Sequence, residues 1–278
     1  MEKIVKKALR KKGIFPILLF CILTFSIWND AMADSNLSTG NSGVRITILY
    51  DNNEYDKNLK DDWGFSCLIQ KGAENLLFDT GASSAILLDN IQKAGVSGVD
   101  VQHIFLSHAH KDHIGGLKGA IQKYPKATLY LPSTFPQKFK SAVKKTGIRL
   151  EEIRASQKIG NAFYTTGETG FGVVEQSLFF ETPKGLVVVT GCAHPGIVDI
   201  IEKVKKKSKS PVYLAMGGFH LKELRDFEIM QVITSLRSLG VQKVAPCHCT
   251  GARAMQLFQK EYGDNYLKCG LGSVIDIN

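Results

Sequence analysis

Four short apolar runs constrain the fold of this chain: Val101–Leu106, Leu186–Thr190, Val212–Met216 and Val241–Ala245. Each reads as a buried strand and ends in a turn that carries histidine. A stretch with helical character follows each one, at Gly115–Gln122, Ile197–Lys207, Glu223–Leu239 and Arg253–Tyr262. In Glu223–Leu239 the buried face is expected to be Phe227, Met230, Ile233 and Leu236, one every three residues. Repeated strand–turn–helix units predict mixed sheets covered by helices, an α/β (α+β) class.

The rest of the chain fits around these units. Val44–Tyr50, Trp63–Gln70 and Glu74–Phe78 read as strands, the last two joined by a tight turn at Lys71-Gly72. A helix is expected over Ala82–Ala94 and a strand near Ala127–Leu131. Pro132–Lys145 reads as a basic surface segment with some helix. Leu150–Ile153, Ala162–Thr166, Val173–Glu181 and Ser273–Ile277 are further strand candidates.

Six of the seven histidines fall in the four turns: His108, His110 and His113 in the first, then His194, His220 and His248. Only His103 lies elsewhere. A lone histidine is more often structural than a ligand, but in such sheets catalytic groups gather beyond the carboxyl ends of strands. The first turn, Ser107-His108-Ala109-His110-Lys111-Asp112-His113-Ile114-Gly115-Gly116, packs three histidines and one aspartate into six residues. Imidazole with carboxylate favours zinc, iron or manganese over calcium or magnesium. His108 and His110, two apart on an irregular loop, can face one ion, and Asp112 and His113 a second. Two ions roughly 3.5–4 Å apart can share a bridging hydroxide formed at neutral pH. Asp79, where a strand meets a helix, reads either as a cap or turn residue or as a carboxylate that holds a metal ligand by hydrogen bond.

The N-terminus has a basic region (Lys3 to Lys12), an apolar stretch from Ile14 to Trp28, and Ala31-Met32-Ala33. This is the pattern of a secretory signal, cleaved near Ala33, with an uncleaved membrane anchor as the alternative. The expected organisation is a signal over 1–33, a disordered polar stretch over 34–43 and a folded domain over 44–278. Residues 1–33 carry six basic and two acidic side chains, +4 of the total +9, which leaves +5 on the mature chain. Several of those charges lie in Lys203–Lys209, the solvated face of a helix, so nucleic-acid binding is not expected. Five cysteines remain after cleavage, an odd number and not a disulfide framework.

His-x-His-x-Asp-His after an apolar strand resembles the signature of the metallo-β-lactamase superfamily. The earlier Phe78-Asp79-Thr80-Gly81, the Thr190-Gly191 turn and the late His248 are similar too. Five segments together resemble one branch: Leu77–Gly81, Ser107–Gly116, Thr190–Gly196, Gly217–Leu221 and Pro246–Gly251. That branch includes the archaeal dihydropterin ribofuranosyl-aminobenzene phosphate synthases and many bacterial hydrolase-like proteins. The resemblance covers residues 44–278 and implies an αββα sandwich, two mixed sheets flanked by helices, with one or two divalent metals at one edge.

Carried over by motif, the resemblance implies His108 and His110 as first-metal ligands and Asp112 and His113 as second-metal ligands. Asp112 is the candidate for proton transfer. His194 and His248 fall near the later ligand positions, and His220 is assigned to substrate or transition-state contact. The chain departs from the superfamily pattern twice: Glu175-Gln176 stands where a middle histidine would fall, and Cys192 where a bridging aspartate would follow Thr190-Gly191. His194 is a candidate replacement ligand. Cys192, Cys247 and Cys249 read either as thiols that bind the metal or back its ligands, or as buried structural cysteines. If the segment stays extended, Cys247 and Cys249 point away from His248.

The implied activity is an exported metal-dependent hydrolase, using a metal-bound hydroxide on an ester, amide or phosphate-type bond of a small anionic substrate that the basic residues and His220 would help to hold. The alternatives are a transferase or synthase like the branch's own, and a non-catalytic metal- or ligand-binding protein.

Overall fold

The computed structural model describes residues 43–278. The signal expected over 1–33 lies outside the described residues, as does nearly all of the polar stretch after it.

Two mixed sheets stack face to face. The first runs, in spatial order, β13 (Val274–Ile277), β1 (Val44–Tyr50), β2 (Ser66–Lys71), β3 (Glu74–Phe78), β4 (His103–Phe105), β5 (Thr128–Pro132) and β6 (Arg149–Ile153). The second runs β12 (Lys243–Cys247), β11 (Val212–Gly218), β10 (Gly185–Thr190), β9 (Leu178–Thr182), β8 (Phe163–Gly167) and β7 (Ala155–Ile159). Each sheet joins an antiparallel half to a parallel half: β3 to β6 are parallel in the first, β10 to β12 in the second. Helices connect the successive parallel strands, as crossover connections require.

β10 explains the layering. All six of its residues are buried. Val187 and Val189 point into the core between the sheets, while Leu186 and Val188 point outward into a second core. A strand covered on both faces has no polar alternation to show. The outer core of the second sheet is closed by α5 (Ile197–Lys207), α6 (Asp226–Ser238) and α7 (Ala252–Tyr262). On the first sheet the cover is α1 (Ser84–Lys93), α3 (Leu117–Lys123) and α4 (Gln137–Lys144). The result is the expected αββα sandwich.

Several elements differ from the sequence reading. In α6 the buried residues are Ile229, Ile233 and Leu236, whereas Phe227 is exposed beneath the Arg225 guanidinium. Three-residue steps drift around a helix of 3.6 residues per turn, so a four–three spacing keeps one face. Val173–Glu181 is a strand only from Leu178 to Thr182, and the residues before it are irregular. The helix after the first histidine turn begins early, as a single turn α2 (Lys111–Ile114), and breaks at Gly115-Gly116 before α3. A Cβ on either glycine would collide with the carbonyl oxygen of Ala82 or Thr80, so these glycines permit the backbone contact that seats α2 on the Asp79 turn.

Candidate metal centre

The turns after β1, β3, β4, β10, β11 and β12 meet at one edge of the paired sheets, joined by the irregular segment before β9. Among the described residues, four non-glycine residues have positive φ: Asp79 (50°), Ala193 (57°), His220 (53°) and His248 (49°). All four lie in these turns. Left-handed backbone of this kind costs on the order of 1–3 kcal/mol per residue and persists only where surrounding contacts impose it.

Asp79 is one such contact. It is fully buried, and its carboxylate accepts hydrogen bonds from the Ser107 backbone N–H (2.7 Å) and the Ser107 hydroxyl (2.7 Å). It also lies 2.7 Å from His113 Nδ1. The Ser107 hydroxyl, having donated to Asp79, accepts from His108 Nδ1 at 2.9 Å. His194 Nδ1 lies 2.9 Å from Glu175 and His248 Nδ1 lies 2.8 Å from Asn52 Oδ1. His108, His194 and His248 are thus held at Nδ1 by acceptors, which leaves the Nε2 lone pair of each available, while His113 pairs with the Asp79 carboxyl through Nδ1 and faces Cys192 Sγ through Nε2. His108 Nε2 and His248 Nε2 are buried with no hydrogen-bond partner. Burial, reinforced by a neighbouring histidine, pushes both His108 and His113 down to about 3, so their rings stay neutral at ordinary pH. Buried imidazole nitrogens without a hydrogen-bond partner, such as His108 Nε2 and His248 Nε2, fit ligands of a divalent transition metal.

Four donor sets lie within 4.8 Å internally: His108, His110 and His194; Asp112, His113 and His248; Cys192, His220 and Cys249; and His108, His113 and Cys192. Cys192 also approaches the first two sets, with Sγ 3.2 Å from His113 Nε2. The structure therefore brings His108 and His110 together, as expected, and adds His194. It brings Asp112 and His113 together and adds His248. His110 and His220 are exposed at the rim, and Asp112 is partly exposed. Although burial opposes its ionisation, the adjacent His248 and His113 rings hold Asp112 well below the usual carboxylate range.

The extended alternation expected around His248 is corrected. β12 ends at Cys247, His248 turns left-handed, and His248–Thr250 forms a 3₁₀ turn. Cys247 stays in the core between the sheets with Cys67 and Cys269, whereas Cys249 swings round to Cys192 and His220. The adjacent Cys192 and His220 side chains bring the Cys249 thiol below its ordinary range against the opposing effect of burial. The Cys249 partner in turn raises His220. His103 is apart from the site, packed against Tyr130 and Phe163.

Three contributors escaped the sequence reading. Glu175 stands where the middle histidine was missed, fully buried. Its carboxylate accepts backbone N–H groups of Gly191 (3.2 Å), Cys192 (3.0 Å), Ala193 (2.9 Å) and His194 (3.0 Å). Burial works against its charge, but His194 and these N–H groups outweigh it and hold Glu175 at about 2. Asp51 accepts the His248 backbone N–H at 3.2 Å, beside the Asn52 contact. Trp63 lies over the His248 ring, centroids 5.0 Å apart, and remains 45% exposed at the mouth of the site. The signals available were a carboxylate amid apolar residues and an Asp-Asn pair directly after a strand.

The family description "Metallo-beta-lactamase superfamily" matches residues 64–206, just over half of the chain, and this stretch includes Asp79, His108–His113 and His194. The 7,8-dihydropterin-6-methyl-4-(beta-D-ribofuranosyl)-aminobenzene-5'-phosphate synthase of Methanocaldococcus jannaschii is 28% identical over 278 aligned residues, covering 82% of this chain and 95% of that protein. Among solved structures, Tm1679, described as a metal-dependent hydrolase of the beta-lactamase superfamily, superposes with a TM-score of 0.71 at 26% identity. The match covers 84% of this chain and 99% of that one. The metallo-beta-lactamase fold protein YhfI from Bacillus subtilis shares the fold at a TM-score of 0.62 and 16% identity, over 84% of this chain and 99% of its own. With its strand-end histidines, its paired sheets and this family match, the chain belongs to the metallo-β-lactamase superfamily.

Proposed function

We propose that the protein is a metal-dependent hydrolase acting on an ester, amide or phosphate-type bond of a small anionic substrate. The observation that carries this reading is the pair of nitrogen- and oxygen-donor sets with buried, unpartnered Nε2 atoms beside the partly exposed Asp112. His108, His110 and His194 would hold one ion, and Asp112, His113 and His248 a second. Zinc suits the donors, with iron or manganese as alternatives. Such ions, when bound, polarise a substrate oxygen and lower the pKa of a water molecule.

The chain's own residues supply the remainder. Asp112, held ionised at neutral pH, is placed to accept a proton from the attacking water. His248 Nε2 lies 3.4 Å from its carboxylate. At the mouth, a cavity of about 310 Å³ is lined by Trp63, His220, Lys222, Glu223, Leu224 and Cys249. The Lys222 ammonium sits 5.3 Å from the centre of the Trp63 ring. Lys222 with His220 favours an anionic group there, and Trp63 offers an apolar face.

The basic, apolar and Ala-x-Ala segments of residues 1–33 support export, as a periplasmic or secreted enzyme. No helix among the described residues is long and apolar enough to cross a membrane. A synthase-type condensation is the second reading, favoured by the 28% identity to the Methanocaldococcus jannaschii enzyme. Purified protein, stripped by chelation and then restored with zinc, should hydrolyse a phosphodiester or lactone only in the restored form. Equal activity without metal would overturn the hydrolase reading. Turnover of a pterin alcohol with an arylamine ribotide, and none of the hydrolytic substrates, would favour the synthase.

A further inference from the structure

Neither donor set of the proposed hydrolase uses Cys249 or His220, and Cys192 touches both sets without completing either. The five described cysteines divide sharply. Cys67, Cys247 and Cys269 lie in the apolar core between the sheets, the ordinary place for a buried thiol. Cys192 and Cys249 are as deeply buried, at 3% and 5% exposure, yet belong to none of the apolar clusters and sit among histidines. Their sulfurs and a ring nitrogen of His220 lie within 4.8 Å of one another.

The backbone is shaped to bring these three together. Ala193 follows Cys192, His248 precedes Cys249, and His220 is the third member, and all three have positive φ. Gly218 on β11 lies under the pair: a Cβ there would come 2.6 Å from Cys249 Sγ and 3.2 Å from Cys192 Cα. His194 stacks at the edge of the group, its ring centroid 4.5 Å from that of His220. Two sulfurs and an imidazole at this spacing are a soft donor set, unlike the nitrogen–oxygen sets beside it.

We propose that Cys192, Cys249 and His220 form a thiolate subsite that binds a thiophilic divalent ion, zinc or iron(II), separate from the two histidine–carboxylate positions. Binding there deprotonates the thiols, and the protons pass to solvent. The subsite changes one side of the centre from nitrogen and oxygen to sulfur donors, next to the cavity lined by Trp63 and Lys222. It does not depend on which bond, if any, the enzyme hydrolyses.

The test is X-ray absorption at the zinc edge on the zinc-loaded full chain, with zinc content per chain measured in parallel. The wild type should show a sulfur shell at about 2.3 Å from zinc. Cys249→Ser and Cys192→Ser should each lose sulfur scattering, and Cys249→Ser should bind one zinc fewer while keeping nitrogen-bound zinc. A wild-type shell of nitrogen and oxygen alone overturns the proposal without any variant having to fold. Loss of sulfur in Cys192→Ser with Cys249→Ser unchanged also overturns it, and assigns Cys192 to the His108–His113 sets instead. Hydrolysis is not read in this experiment, so a failure here is distinct from a failure of the hydrolase reading.

Discussion

Asp79 and Glu175 hold the donor histidines from behind, and their substitution separates positioning from ligation. In Asp79→Asn one carboxylate oxygen becomes an NH₂ facing Ser107 or His113, both of which need an acceptor there. Loss of such an outer partner typically lowers metal affinity 10–100-fold, and competition against a chromophoric chelator should show a decrease of that size. Glu175→Gln meets a harsher geometry, because four backbone N–H groups and His194 converge on one carboxylate. The amide NH₂ leaves at least one buried donor without an acceptor, so urea unfolding should show a loss of about 1–3 kcal/mol or more. The histidines were legible in the sequence because their clustering after apolar runs is a local pattern. Glu175 was not, because an acceptor's role depends on which loop the fold lays against it.

At the scale of elements, the strands and helices were largely readable from periodicity, and the exceptions fall at the site. α2 starts within the histidine turn, and Val173–Gln176 leaves the strand so that Glu175 can face the Cys192 loop. The His248–Thr250 turn breaks the alternation expected of Cys247 and Cys249. In each case tertiary contacts override the local preference. The Gly115-Gly116 break makes a direct prediction. Gly116→Ala places a methyl against the Thr80 carbonyl, backbone that cannot yield cheaply. A destabilisation of about 1–3 kcal/mol, the usual scale of overpacking, should appear as a lowered thermal midpoint, together with weaker metal binding as α2 lifts from the Asp79 turn. An unchanged midpoint would show that α2 is not seated by this contact.

Over the whole molecule, the αββα plan follows from which runs are apolar throughout: β10 is buried on both faces, and its helix α5 buries Ile197, Ile200, Ile201 and Val204 while Lys205–Lys207 face solvent. The pairing of the two sheets and the return of β13 to the first are long-range and leave no local mark. The buried site also sets a pH dependence for the metal-free protein. His108 and His113 titrate near 3 when folded against 6.5 when free, and Glu175 near 2 against 4.5. The unfolded chain binds more protons through these intervals, so these groups contribute stability at neutral pH that is lost as pH falls. Asp79, raised by burial to about 8 from 3.8, acts oppositely and removes stability as pH rises toward 8. Asp51, raised by burial to about 6, opposes the histidines above pH 4 in the same way. The net expectation is a steep loss between about pH 4.5 and 3, where the histidines and Glu175 act together, at about 1.4 kcal/mol per pH unit per group. Denaturant midpoints measured across pH check this, and a flat acid limb would contradict it.

We propose that the turns at one sheet edge build a metal centre from His108, His110, His194, Asp112, His113 and His248. Anomalous diffraction at the zinc edge from crystals of zinc-loaded protein tests it most directly. Strong anomalous peaks bounded by these six side chains are expected. Zinc found only at the surface, with the buried Nε2 atoms of His108 and His248 facing water, would contradict it.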